Sequence, residues 1–155
     1  MKLKLIMLIL LSVFFSNCGY KVVSQDYFKD YKIVEINTTG EKRVNFQLEN
    51  ELRRGNENAL KSIKIDLTTE KIKTIKEKNI QNEITKYEIT ISVKVDFYLT
   101  DINQLGNFSV FKKGVFDVNE RYSLTLDNEK KLIKNLTSDI SEQIIKNLRE
   151  EINDT

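Results

Sequence analysis

The sequence predicts an α+β domain, a four-stranded, mostly antiparallel sheet with two helices packed on one face. Three observations carry that prediction. Apolar and polar residues alternate through the central segments, two other segments repeat apolar residues at helical spacing, and the order along the chain is strand, helix, strand, strand, strand, helix. A sheet with one wet face and two apolar helical stripes to bury is most economically closed by setting both helices on its other face.

Tyr31 to Ile36 is β-branched and aromatic enough for a short first strand. Thr38 followed three places on by Glu41 has capping-box spacing, and Val44, Leu48 and Leu52 then recur on one helical face until Gly55 offers a stop. From Ser62 the period becomes two, with Ile63, Ile65 and Leu67 against Lys64, Asp66 and Thr68. The lysine-rich stretch Glu70 to Asn82 keeps neither period well and reads as an irregular extension of that strand and a loop. The clearest strand follows, with Tyr87, Ile89, Ile91, Val93, Val95, Phe97 and Leu99 on one side and charged or hydroxyl residues on the other.

Asp101 to Asn107 supplies turn residues, after which Phe108, Val110, Phe116, Val118, Tyr122, Leu124 and Leu126 hold one parity, interrupted by Lys112, Gly114 and Glu120. That pattern predicts a hairpin partner with Gly114 at a bulge or kink. Asp127 or Asn128 can cap a final helix with Glu129 in its first turn. Leu132, Leu136, Ile140, Ile144 and Leu148 form its stripe, widened by Ile133, Ile145 and Ile152 enough to cover a sheet.

Ahead of this domain, residues 31–155, lie two segments of another kind. Lys2 and Lys4 precede an apolar run from Leu5 to Phe15 in which only Ser12 is polar, which is the layout of a signal segment over residues 1–17. Eleven residues fall well short of the roughly 20 that a helix needs to cross a bilayer. Phe15-Ser16-Asn17-Cys18 then resembles the lipobox of bacterial lipoproteins, with Phe15 and Asn17 departing from the commoner Leu and Gly or Ala. The resemblance implies that Cys18 receives a diacylglycerol, becomes the first mature residue and is acylated, so that residues 18–30 are a lipidated start and tether. Acyl chains contribute on the order of 0.8 kcal/mol per buried methylene, so several on one residue hold the chain at a membrane without a protein helix.

Composition narrows the function. Removing residues 1–17 takes away two lysines and no acid, leaving 23 basic and 23 acidic side chains. No overall basic field remains to gather nucleic acid, and none is expected as a partner. The chain has no histidine and a single cysteine, so cysteine–histidine metal sites, histidine triads and internal disulfides are excluded, and no cofactor is expected beyond the lipid on Cys18. Carboxylate or serine–lysine chemistry stays formally open, although nearly every acid falls on a polar face and Ser141 has the neighbours of one. The expectation is a protein that is not an enzyme.

Taken together, the Cys18-Gly19-Tyr20 start with Val22, the strand and helix ending near Leu52, the Tyr87–Leu99 strand, its Phe108–Tyr122 partner and the Asp127-Asn128-Glu129 lead into a long last helix resemble the lipopolysaccharide-assembly lipoprotein family LptE. The resemblance implies a non-enzymatic plug subunit seated in the outer-membrane β-barrel LptD, assisting its assembly and the delivery of lipopolysaccharide to the outer leaflet. It implies an outer-membrane location on the periplasmic side, consistent with Gly19 rather than aspartate after the lipidated cysteine. Contact with lipid A phosphates would call on local cations, for which Lys71, Lys73, Lys76 and Lys78 ahead of the long strand and Lys112 and Lys113 in its partner are the candidates. Solvation of a loop and an edge strand is the plainer role for the same lysines. The chain departs from the family in carrying Leu126 where members tend to place a basic residue. The alternative is a scaffold or binding lipoprotein of the cell envelope with a different partner.

Overall fold

The computed structural model describes residues 31–53, 59 and 61–153, so the expected signal segment, Cys18, the expected tether and Gly55 lie outside the described residues. The elements follow the expected order: β1 (Tyr31–Gly40), α1 (Lys42–Leu52), β2 (Lys61–Lys78), β3 (Ile84–Leu99), β4 (Gln104–Asp117) and α2 (Tyr122–Asn153). The four strands form one sheet in the order β1-β2-β3-β4. β1 runs parallel to β2, while β2–β3 and β3–β4 are antiparallel.

Both helical stripes bury against one face of this sheet. Val44, Leu48 and Leu52 of α1 and Ile140, Ile144 and Leu148 of α2 close over Ile63, Ile65 and Leu67 of β2 and Ile89, Ile91, Val93, Val95 and Leu99 of β3, all essentially inaccessible to water. At about 1.5–3 kcal/mol per fully buried aliphatic side chain, this cluster is the main source of stability.

The differences from the sequence expectation have physical causes. β1 runs on through Thr38 and Thr39 to Gly40 because β2 supplies a parallel partner as far as Thr69. The capping box therefore does not form. Thr38 is still in the strand and donates its hydroxyl to Glu49 of α1 at 3.0 Å. Glu41 occupies the cap position without a side-chain cap hydrogen bond. The cap comes from another strand instead: Thr69 Oγ1 accepts the Glu41 N–H at 2.9 Å and donates to Asn45 Oδ1 at 2.6 Å in a buried contact.

Thr69→Val should therefore cost about 1–3 kcal/mol, since it strands a buried amide oxygen. Thr68→Val, on the exposed side of the same strand, should be nearly neutral. Urea midpoints of the two variants check this, and equal effects would refute the cap.

β2 extends to Lys78 with register breaks between Ile75 and Glu77 and again before Lys78, so most of the predicted loop is strand. Pairing continues there without an apolar face because cross-strand ion pairs replace it, Lys86–Glu77 at 2.7 Å and Lys76–Glu88 at 3.1 Å. The turn is confined to Asn79–Glu83, where Asn79 Oδ1 accepts the N–H groups of Gln81 and Glu83 and Asn82 takes φ 64°. At the other hairpin β4 begins at Gln104, three residues inside the expected turn.

Gly114 makes no bulge. It pairs with Ile89 in unbroken register, and a Cβ there would sit 2.6 Å from Leu132 Cδ1, so the glycine lets α2 approach the strand. Tyr122, Leu124 and Leu126 belong to the helix, not to β4. α2 starts five residues before Asp127 because Thr125 reaches back, its hydroxyl accepting the Asn119 N–H at 2.8 Å. Asn128 is inside the helix and donates to Asp117 O at 3.3 Å, while Glu129 faces the sheet.

Candidate interaction surface

Because the helices cover one face of the sheet, the other is left bare, and strand alternation decides what it presents. β1, β2 and β3 present a connected polar lattice. Lys64 bridges to Glu35 at 2.9 Å, Asn37 donates to Asp66 at 2.8 Å and to Glu35 at 3.3 Å, and Lys94 meets Asp96 at 2.9 Å. Asp66 and Asp96 are direct cross-strand neighbours, a like-charge pair that these donors offset.

The hydrogen bond from Lys64, helped by Asn37, holds the Glu35 carboxyl below the usual carboxylate range, and the same contact raises the Lys64 ammonium. Lys86 lowers Glu77 in the same way and is itself raised by that hydrogen bond. Both pairs are exposed, so solvent screening keeps their contribution to stability small. Whatever they contribute is present above the ordinary carboxylate range and is lost as pH falls through the lowered values of Glu35 and Glu77. Near the start of β1 the lattice dips into a shallow hollow of about 240 Å³ lined by Glu35, Asp66, Asp96, Tyr98 and Leu105.

β4 differs. On its outward side Leu105 is 79% and Phe111 67% exposed, with Val115 also open, alternating with Asn107, Ser109 and Lys113. This row lies on the parity opposite to Phe108, Val110 and Phe116, which the alternation marks as the apolar side. The signal was nevertheless there: apolar residues occur at both parities of the segment.

The six candidate lysines do not form one patch. Lys71 and Lys73 lie on the helix side, Lys71 3.6 Å from Glu41 and Lys73 2.6 Å from Glu129. Lys73 also sits 4.4 Å from the ring centre of Tyr87 and 5.1 Å from that of Phe116, rings that stack on one another, so it pins the start of α2 to the sheet. Lys76 is bound to Glu88, and Lys78 donates to Asn82 at the hairpin turn. Lys112 faces α2 and lines a hollow of about 390 Å³ with Asp139, Glu142, Lys146 and Arg149, a wall of mixed charge. Lys113 stands between Phe111 and Val115 on the bare face, opposite Thr90.

Ser141 is buried, and its hydroxyl contacts Glu51 of α1. Gln47 joins that carboxylate to Lys134 O, at 3.0 and 2.9 Å. The arrangement is a polar clamp between the helices. Among the described residues no group of His, Cys, Asp or Glu is arranged to hold a metal ion, and no helix is long and apolar enough to cross a membrane.

No protein-family model matches the chain, and no curated protein matches it in sequence. Its fold does match solved structures of bacterial lipoproteins. Rare lipoprotein B from Shewanella oneidensis is 13% identical, with 77% of this chain and 97% of the other covered at a TM-score of 0.57. Lipoprotein B from Nitrosomonas europaea, described as uncharacterized, is 15% identical, with 87% and 93% covered at a TM-score of 0.60. At these identities the likeness is one of fold.

Proposed function

We propose that the chain is a lipoprotein of the bacterial cell envelope, held through lipid on Cys18 at the periplasmic side of the outer membrane. There it serves as a non-enzymatic plug subunit of the LptD type of β-barrel, assisting barrel assembly and lipopolysaccharide delivery. The observation that carries the reading is the bare sheet face. A domain that completes its core with two helices on one side and leaves a lattice of paired charges and amides on the other suits a polar, wet enclosure such as a barrel lumen. The lipobox resemblance at Cys18 and the fold shared with bacterial lipoproteins support the same reading.

Of the six lysines, Lys113 is the one set between exposed apolar side chains, the arrangement an amphipathic phosphate ligand would use. A second reading, an envelope binding lipoprotein with another partner, is favoured by the exposed row Leu105, Phe111 and Val115, since a wet lumen does not require apolar contacts. Affinity purification of the tagged chain after mild crosslinking separates the two. The plug reading expects a large outer-membrane β-barrel to co-purify with lipopolysaccharide, and recovery of a different partner with no barrel would overturn it.

A further inference from the structure

The path of the chain gives the domain two unlike poles. β1 starts at Tyr31 beside Lys61, and the β3–β4 turn sits at the same end, because Thr100 donates its N–H and its hydroxyl to Ser62 O at 3.1 and 2.9 Å. The β2–β3 turn, with Ile80, lies at the opposite end of β2. At about 3.3 Å per residue, the 18 residues of β2 put roughly 50 Å or more between the poles.

The first pole carries exposed apolar side chains and a tyrosine, beside the acidic hollow at Glu35, Asp66 and Asp96. Leu105 is paired directly with Tyr98, whose hydroxyl binds Asn103 Oδ1 at 2.5 Å, and Ile102 protrudes from the turn with 49% of its surface open. A tyrosine with an apolar body and a hydrogen-bonded tip next to exposed leucine and isoleucine suits the boundary between lipid and water. Ile80 at the other pole is more exposed and Ile75 on the same half of β2 is also open, so exposure alone does not choose between the poles.

The position of the anchor decides between the poles. Twelve residues lie between Cys18 and Tyr31, so thirteen steps at 3.3–3.6 Å each give a contour of at most about 47 Å. The Ile102 pole, at the end where β1 starts, is the end of the domain nearest the anchor. The Ile80 pole reaches the bilayer only if the domain lies flat, because inverting it over roughly 50 Å or more exceeds the full length of that segment.

We infer that the β3–β4 turn, through Ile102, Leu105 and Tyr98, rests on the lipid surface that holds the anchor and sets the domain end-on to it. The inference rests on lipidation of Cys18 and is independent of the barrel partner. Because the chain contains no tryptophan, single reporters are unambiguous. The lipidated full chain carrying Ile102→Trp, Leu105→Trp or Ile80→Trp would be placed on phosphatidylethanolamine–phosphatidylglycerol vesicles doped with brominated lipid.

Blue-shifted emission and severalfold stronger quenching at position 102 or 105 than at position 80 is the expected result, and either of the two reporters suffices if the other disturbs folding. Equal quenching at both poles, or stronger quenching at position 80, in chains that float with the vesicles would overturn the inference and leave the anchor standing. Chains that stay off the vesicles would overturn the anchor, and the inference with it.

Discussion

Gly40→Ala is expected to cost about 3 kcal/mol or more, well above the effect of an ordinary surface substitution. Gly40 has φ +99°, where L side chains are strained, and a Cβ there would lie 1.9 Å from the backbone oxygen of Thr69. The obstacle is main chain, not the end of a flexible side chain. Relief would have to move β1 away from β2 at the point where Thr69 also caps α1. The damage should therefore reach both elements, as a lower urea midpoint and early loss of amide protection in α1. Gly114→Ala is the control, because the one atom its Cβ would crowd is the terminal methyl of Leu132, which can rotate aside, and Leu136 stays at ordinary contact distance. Equal midpoints for Gly40→Ala and the parent would show that the close approach of β1 to β2 is wrong.

Cys18→Ala is expected to have the largest effect on behaviour in the cell. Without the sulfur there is no acceptor for a diacylglycerol, and the eleven-residue apolar run is too short to serve as a stable spanning helix in its place. Metabolic labelling with radioactive palmitate should fall to background, and the chain should remain uncut. Co-purification of any barrel partner should drop, since a lipid on Cys18 would confine both proteins to one surface and raise their effective concentration. Labelling that survives the substitution would show that the lipid sits elsewhere or that there is none.

The fold was legible where burial repeats. The alternation of Ile63–Leu67 and Ile89–Leu99 and the stripes Val44–Leu52 and Leu136–Leu148 report the core face directly, and all of them bury as expected. What escaped was set by partners distant in sequence. The cap of α1 comes from Thr69, 28 residues beyond Glu41, so the local Thr38–Glu41 spacing pointed to a box that does not form. The outer half of β2 keeps its pairing through Lys86–Glu77 and Lys76–Glu88, which no apolar period reveals.

Gly114 looked like a bulge because one strand taken alone cannot show that Leu132 of a helix needs the space. The early start of α2 was hidden because Tyr122, Leu124 and Leu126 continue the alternating parity of β4. At the candidate surface, the polar faces of β2 and β3 were visible in the alternation. The division of the lysines between two faces was not, because it depends on the parity of each strand and on acids such as Glu129 arriving from α2.

The bare sheet face is the side proposed to meet a barrel wall, and site-directed photocrosslinking tests this in the full chain. With a photoreactive residue at Thr68 or Ser109, both exposed on that face, the expected product is a covalent adduct with a large outer-membrane β-barrel protein. A folded, lipidated chain that forms no barrel adduct from either position would contradict it.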